Sequence, residues 1–543
     1  MAPSPADGAG ITRRAALGGL ALGGLALGAA STALRTSPAV AGAAGQATPV
    51  AGAAPLPEAV LAVMRQPRYP AWARWGLHVA DRETGEALFD QEGGNRFVPG
   101  SVTKLFPASA ILLRLGPDHR FETPVYRTGP VTNGVLDGDL VLVASGDPML
   151  GGRTLADGAL AYGEIDHTDA NALPGVALLA TDPLAGLDDL AAQVAAAGIH
   201  RVEGEVIVDA RLFPQMPKDD YVLSPIVVND NVVDVLVTPG AAGQPATVTL
   251  RPETAASRLV GSVETVAAGE SVSWSASQPQ PGVVQVSGSV AAGGGPDLKV
   301  VSVQDPPVFA RTIFIEALGR AGVAIAADPL APNPAPPDTA YPEADRVALL
   351  RSRPLSDLLT VTLKVSMNLY ADTLVMLLGS IGGPSETAWE GGFTVIREEL
   401  AALELDPTAV SLGDGRGNDR GDMFGPRTVC DLLRAMAARP EGATLEAALP
   451  ILGVDGTEAG AVPADSPVRG EAAAKSGTTV VGDLLNQRPL LLGKASAGFM
   501  TGRSGRDVVY ATFVNDVPFA QIEDIFAIVA DQGALAAALY EAI

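Results

Sequence analysis

Between about residues 125 and 300 apolar residues recur with a period of two, in VEGEVIVDARLF, NVVDVLVTPG, ATVTLRP and GVVQVSGSV, while the segments on either side carry long helical patterns. A period of two sends alternate side chains to opposite faces of a strand, so this stretch is strand-rich and its strands are expected to pair among themselves. Asn133-Gly134 and Asp137-Gly138 supply tight turns, and one helix, around LAGLDDLAAQVAAAGI, precedes the later strands. The chain has 543 residues, more than the roughly 250–300 that one hydrophobic core fills. The expected organisation is a discontinuous unit of residues 58–124 and 301–543, with residues 125–300 inserted as one or two β-rich domains.

The flanking segments open with WGLHVADRETGEALFDQEGG, a strand-turn-strand pattern, followed by FVPGSVTKLFPASAILLRLG. The second stretch is too long and apolar for a strand, so a buried helix is expected from Pro99 to Gly116, kinked at Pro107, which cannot donate to the turn below. Helical patterns resume at Pro306, a proline-rich loop APNPAPPDTAYPE interrupts them, and GKASAGFMTGRSGRDVVYATFVND reads as a strand pair before an Ala-rich terminal helix.

A net charge of −24 repels phosphate backbones, so nucleic acid is a poor partner. Cys430, the single cysteine, permits no internal disulfide and no cysteine metal site, and lies in an amphipathic run as a small core residue. At the N-terminus, Arg13-Arg14 precede a weakly hydrophobic Ala/Leu/Gly stretch and then small residues, with Ala39-Val40-Ala41 a cleavage site. Residues 1–44 resemble a twin-arginine export signal, and 45–57 a low-complexity linker. An uncut membrane anchor is the alternative. On either reading the remainder lies outside the cytoplasmic membrane, in the cell wall or medium, with membrane contact only through an uncleaved signal.

Three short motifs carry chemistry. Ser101-Val102-Thr103-Lys104 sets a hydroxyl and an amine on one helical face, about 5–6 Å apart at Cβ. Such an amine can take the hydroxyl proton if burial or neighbouring cations lower its pKa. Ser366-Met367-Asn368 offers a hydroxyl and an amide. Lys475-Ser476-Gly477-Thr478 places a cation and two hydroxyls before a β-branched strand, where Gly477 would let a substrate backbone lie close. Each motif alone is weak.

In this order, S-x-x-K, S-x-N and K-[TS]-G resemble the signature of serine penicillin-recognising enzymes. GSVTKLFPASAILLRLGPDHRF, GDLVLVASGDP, NVVDVLVTPG, SMNLYADTL, GDGRGNDR and LPILGVDGTEAG further resemble the class C low-molecular-mass penicillin-binding proteins, D-alanyl-D-alanine carboxypeptidases and endopeptidases. Ser101 and Ser366 stand 265 positions apart and Ser366 and Lys475 only 109, a large insertion between the first two motifs being the mark of that class. The resemblance implies an α/β penicillin-binding, serine β-lactamase-like transpeptidase fold. That fold has a five-stranded antiparallel sheet with helices on both faces, an all-helical lobe, and the inserted β-rich region. It also implies roles. Ser101 attacks the penultimate D-alanine carbonyl, Lys104 accepts its proton and Ser366 passes a proton to the leaving D-alanine. Asn368 orients the substrate amide, and Lys475, Ser476 and Thr478 hold the terminal carboxylate beside Gly477. The backbone N–H groups of Ser101 and Thr478 form the oxyanion hole. Partners would be peptidoglycan peptides ending in D-Ala-D-Ala and β-lactams as covalent inhibitors; no cofactor or metal is implied.

Two stretches depart from that family. KSG replaces the commoner KTG, and DGRGNDR, Asp414 to Arg420, stands where D-G-S-G-L-S-R is usual. His78, His119, His167 and His200 are too scattered for a paired ligand spacing. Glu164, Asp166, His167 and Asp169 read as a solvated acidic loop, as do Asp414, Asn418, Asp419 and Asp422, where Arg416 occupies a calcium-acceptor position. Tyr510, Phe513 and the four tryptophans are assigned to core packing. A hydrolase of the same scaffold with another substrate (an ester, a β-lactam or a D-aminopeptide) and an inactive wall-bound scaffold remain open.

Overall fold

The computed structural model describes residues 52–173, 175–382 and 387–543, so the expected export signal lies outside the described residues. Its centre is an antiparallel sheet of five strands in the spatial order Ala87–Gln91, Arg74–Asp81, Asp507–Pro518, Arg488–Thr501, Ala472–Asp483. The N-terminal hairpin and the C-terminal strands share it, joined by the pairing of Trp75 with Val514 and Val79 with Tyr510. One face carries small residues, Ala495, Ala497 and Ala511, on which the helical lobe packs with Val429, Leu433 and Phe106. The other face is covered by the helices Glu58–Met64 and Ile525–Ala542 through Val60, Leu535 and Leu539. Both faces are therefore buried, and Ala472–Asp483 is left as an edge strand.

The lobe is built round the helix Asn368–Ile381, of which Leu369 through Gly379 are all buried. The expected Pro99–Gly116 helix is two pieces, a 3-10 turn Gly100–Lys104 and an α-helix Leu105–Leu115. The break lies at Lys104, not at Pro107. Pro107 is the third residue of the α-helix, where the N–H has no partner within the helix and its absence costs nothing. Cys430, Tyr510 and Phe513 are buried as expected; Trp75 and Trp274 are too, but Trp72 is 65% exposed and belongs to no core.

The inserted region does not close on itself between 125 and 300. Glu122–Arg127 pairs with Arg346–Arg351, and Arg201–Val202 pairs with Ala324–Ile325, so its sheets continue to residue 351. Further strands form a three-stranded sheet centred on Val232–Thr238 and a four-stranded one round Val283–Ala291. The segment is also not separable: Met149, Phe213, Tyr221, Leu223 and Val227 are buried in the same core cluster as Leu374 and Leu377 of the lobe. Removing large buried side chains costs about 2–5 kcal/mol each, and a domain is stable by only about 5–15 kcal/mol. Deletion of residues 125–300 should therefore yield no cooperative thermal unfolding transition. A soluble deletion protein that unfolds cooperatively and still takes up penicillin would overturn this.

Candidate active site

The turn Gly100–Lys104 sits against the edge strand because neither side has a side chain in the way. A Cβ on Gly100, at φ +53, would meet the Thr478 nitrogen at 2.5 Å, and one on Gly477 would meet the Pro99 carbonyl oxygen at 2.0 Å. Gly477 thus makes room for the serine-bearing turn. Lys104 is fully buried, and its Nζ lies 2.7 Å from Ser101 Oγ, 2.8 Å from Asn368 Oδ1 and 2.9 Å from the Arg416 carbonyl oxygen. Burial lowers its pKa to about 7, with Arg416 adding to the fall against the upward pull of Asp414 and Asp372. A neutral amine there keeps two N–H donors for Asn368 and Arg416 and turns its lone pair to the Ser101 hydroxyl.

Ser366 and Asn368 lie where helix Leu355–Lys364 gives way to Asn368–Ile381. Ser366 has φ +61, a left-handed conformation costing a non-glycine residue about 1–3 kcal/mol. The surrounding packing over-determines it: Met367 is buried, and its Sδ accepts from Thr168 Oγ1 at 3.5 Å.

Along the edge strand, Lys475 is fully buried and donates to the Ser476 carbonyl at 2.7 Å. Burial, and then the nearby charge of Lys104, hold its pKa well below the ordinary value. The Ser476 and Thr457 hydroxyls lie 3.3 Å apart, and Lys494, the cross-strand partner of Thr478, donates to Thr478 Oγ1 at 3.0 Å. Burial lowers Lys494 as well, against Glu458. The sequence motifs did not include Lys494; its signal is a lysine at an inward position of the small-residue strand GKASAG, which only register aligns with Thr478.

Of the two acidic stretches expected to be solvated, Glu164, Asn418 and Asp419 are exposed, but the other members turn inward. In the first, Asp166 and His167 are buried: His167 lies 2.7 Å from Asp230 and 2.6 Å from Asp234, and Arg153 contacts Asp166 at 2.7 Å and Asp230 at 2.6 Å. Although burial works against it, the charges of Asp166 and Asp234 lift His167 to about 10, so the carboxylates are already met by two cations. Tyr370, one turn from Ser366, donates to Asp230 at 2.6 Å. In the second, Asp414 and Asp422 are buried, and Arg416 is buried beside Asp219, Asp220 and the Tyr221 ring.

A central antiparallel sheet, helices on both faces, and a site closed by a turn from the lobe and the sheet's edge strand define the penicillin-binding, serine β-lactamase-like fold. The chain belongs to the D-Ala-D-Ala carboxypeptidase 3 (S13) family, which it matches over residues 56–532. It is 31% identical to a D-alanyl-D-alanine carboxypeptidase of Actinomadura sp. (strain R39), over 82% of this chain and 80% of that one. To the D-alanyl-D-alanine carboxypeptidase DacB of Haemophilus influenzae it is 23% identical, over 84% and 88%. A crystal structure of penicillin-binding protein 4 (dacB) from Haemophilus influenzae, complexed with a β-lactam, superposes with a TM-score of 0.66 at 22% identity, covering 89% of this chain and 99% of that one.

Proposed function

We propose that this enzyme cleaves the terminal D-alanine from peptidoglycan peptides ending in D-Ala-D-Ala through an acyl-serine, and that β-lactams acylate the same serine. The observation that carries the reading is the fully buried Lys104 amine held 2.7 Å from Ser101 Oγ and 2.8 Å from Asn368 Oδ1. Ser101 is the nucleophile, and Lys104 takes its proton as the Oγ–C bond forms. The N–H groups of Ser101 and Thr478 receive the developing oxyanion. Ser366 hands a proton to the departing D-alanine nitrogen, Asn368 orients the substrate amide, and water then hydrolyses the ester. Lys475, Ser476 and Thr478 hold the terminal carboxylate, Lys494 supporting Thr478; Gly477 serves by its lack of a side chain. The corresponding domain division is a peptidase unit of residues 58–121 and 352–543 round an inserted unit of 122–351.

Among the described residues no helix is long and apolar enough to cross a membrane. The twin-arginine-like segment ahead of them supports an exported protein working on the cell wall. Release of D-alanine from such a peptide, with covalent labelling by a fluorescent penicillin, tests the reaction; labelling without release would mean a different substrate.

Carboxylate recognition has its own test in Lys475→Ala. A hydrogen bond to a charged group is worth about 1.5–3 kcal/mol, and each 1.36 kcal/mol is about tenfold in rate. Acylation by free-acid peptides should fall about 10- to 100-fold, while amidated peptides, lacking the carboxylate already, should be hurt far less. Equal losses for acid and amide would assign Lys475 to the chemical step alone.

A further inference from the structure

The loop DGRGNDRGD, residues 414–422, holds the Arg416 carbonyl to which Lys104 donates. Its backbone turns round two buried acids. Asp414 accepts from the N–H groups of Arg416 at 2.9 Å, Gly417 at 2.6 Å and Asn418 at 3.2 Å, and from Arg416 Nε at 3.3 Å. Asp422 accepts from the N–H groups of Gly413 at 2.7 Å, Asp414 at 3.3 Å and Asp419 at 3.2 Å. Both side chains are buried, and Asp422 Oδ1 accepts the N–H of Asp414 itself, so the two carboxyls sit together in a site with little water. Two negative charges there repel, and because ionised carboxylates are acceptors only, a hydrogen bond between them needs one of them to keep a proton.

We propose that Asp422 is a positioning residue for Lys104: its carboxyl shares one proton with Asp414, and this proton holds the loop that presents the Arg416 carbonyl to the lysine. The inference rests on the acyl-serine reading of Ser101 and Lys104. Any movement of the loop reaches the nucleophile directly, because a Cβ on Gly417 would stand 2.0 Å from the Gly100 carbonyl oxygen. Gly417 also accepts from Thr479 Oγ1 at 3.3 Å, and Gly415 donates to Asp372 Oδ1 at 2.9 Å, so the loop touches the edge strand and the lobe helix together.

The groups round the pair are Asp419 and Arg416 on the loop itself, Asp372 on the lobe helix, Lys104 beside the serine, and Lys218, Asp219, Asp220 and Tyr221 of the inserted region. Among them the burial of Asp422 dominates, followed by the Asp414 charge, and its carboxyl is pushed up to about 9, while backbone N–H groups and the Asp422 hydrogen bond keep Asp414 low despite burial. Above that pH two adjacent negative charges replace the hydrogen bond and the loop loses its closure.

The rate constant of covalent labelling by a fluorescent penicillin, followed in the full-length protein from about pH 6 to about pH 10.5, separates the outcomes. The parent enzyme should lose about tenfold in rate as pH rises through about 9. Asp422→Asn keeps a neutral group able to donate to Asp414, so it should stay within about twofold of the parent at neutral pH and lose the alkaline fall. Asp422→Ala should be about tenfold slower at every pH. An alkaline fall that persists unchanged in Asp422→Asn, or a parent profile without one, overturns the proposal. A parent that takes up no penicillin at any pH overturns the acyl-serine reading instead. If Asp422→Asn does not fold, carbon-13 spectra of aspartate-labelled parent decide: a loop carboxyl still protonated at neutral pH supports the shared proton, and full ionisation there overturns it.

Discussion

A Ser101→Ala protein should take up no covalent penicillin, while its circular dichroism and thermal unfolding midpoint stay at the parent values. The substitution removes one oxygen. Among the described residues Ser101 Oγ has a single side-chain partner, Lys104 Nζ at 2.7 Å, and the amine keeps Asn368 and the Arg416 carbonyl when that partner is lost. No large side chain is withdrawn from the core, so the fold has little reason to weaken. The chemistry, by contrast, has nowhere else to go. A covalent β-lactam adduct needs an oxygen nucleophile beside a base that is neutral at working pH, and Ser101 is the hydroxyl that faces the Lys104 lone pair. Non-covalent penicillin binding should survive, because Lys475, Ser476 and Thr478 are untouched. A mass spectrum showing a penicilloyl adduct on Ser101→Ala would move the nucleophile to another serine, Ser366 first.

The contact of Ser101 with Lys104 was legible because residues at a fixed local spacing meet whatever the rest of the chain does. A serine and a lysine three positions apart meet on any tight helical turn, 3-10 or α, so Ser101 and Lys104 come together even though the expected single helix is broken at Lys104. The N-terminal hairpin and the C-terminal strand pair were legible from alternation and turn residues, whereas their union in one five-stranded sheet came from the family resemblance. Contacts set by register or by distant charge were not legible. Lys494 reaches Thr478 only through the pairing of two strands, and Arg153, which neutralises Asp166 and Asp230, lies 13 residues before Asp166. Without its cations an acidic run reads as solvated. That Gly477 also makes room for the turn at Pro99 was not legible, because an absent side chain does not say what fills its space. The end of the inserted region at Arg351 was hidden because RVALLR follows a proline-rich loop and pairs with a strand more than 200 residues earlier.

Replacing Lys104 with methionine should slow acylation by about 10²- to 10⁴-fold, the range ascribed to a positioned general base. Methionine is close to lysine in length and suits a fully buried position, so the cost is expected in rate more than in stability. The pH profile makes the result diagnostic. Burial has lowered the lysine to about 7, which means that the neutral amine, the form able to accept the serine proton, gains population as pH rises through that value. Labelling of the parent should therefore climb through about pH 7 and level off above it, up to the point where the Asp414–Asp422 pair loses its proton. In Lys104→Met the residual labelling should be flat across the same interval, because the titrating base is gone. Lys104→Arg provides the control for charge without basicity: guanidinium stays protonated throughout, so it should be as slow as the methionine variant and equally flat. If residual labelling in Lys104→Met still climbs near neutrality, the base is another group. Lys475, also fully buried and also held well below its ordinary pKa, would then take the role assigned to Lys104.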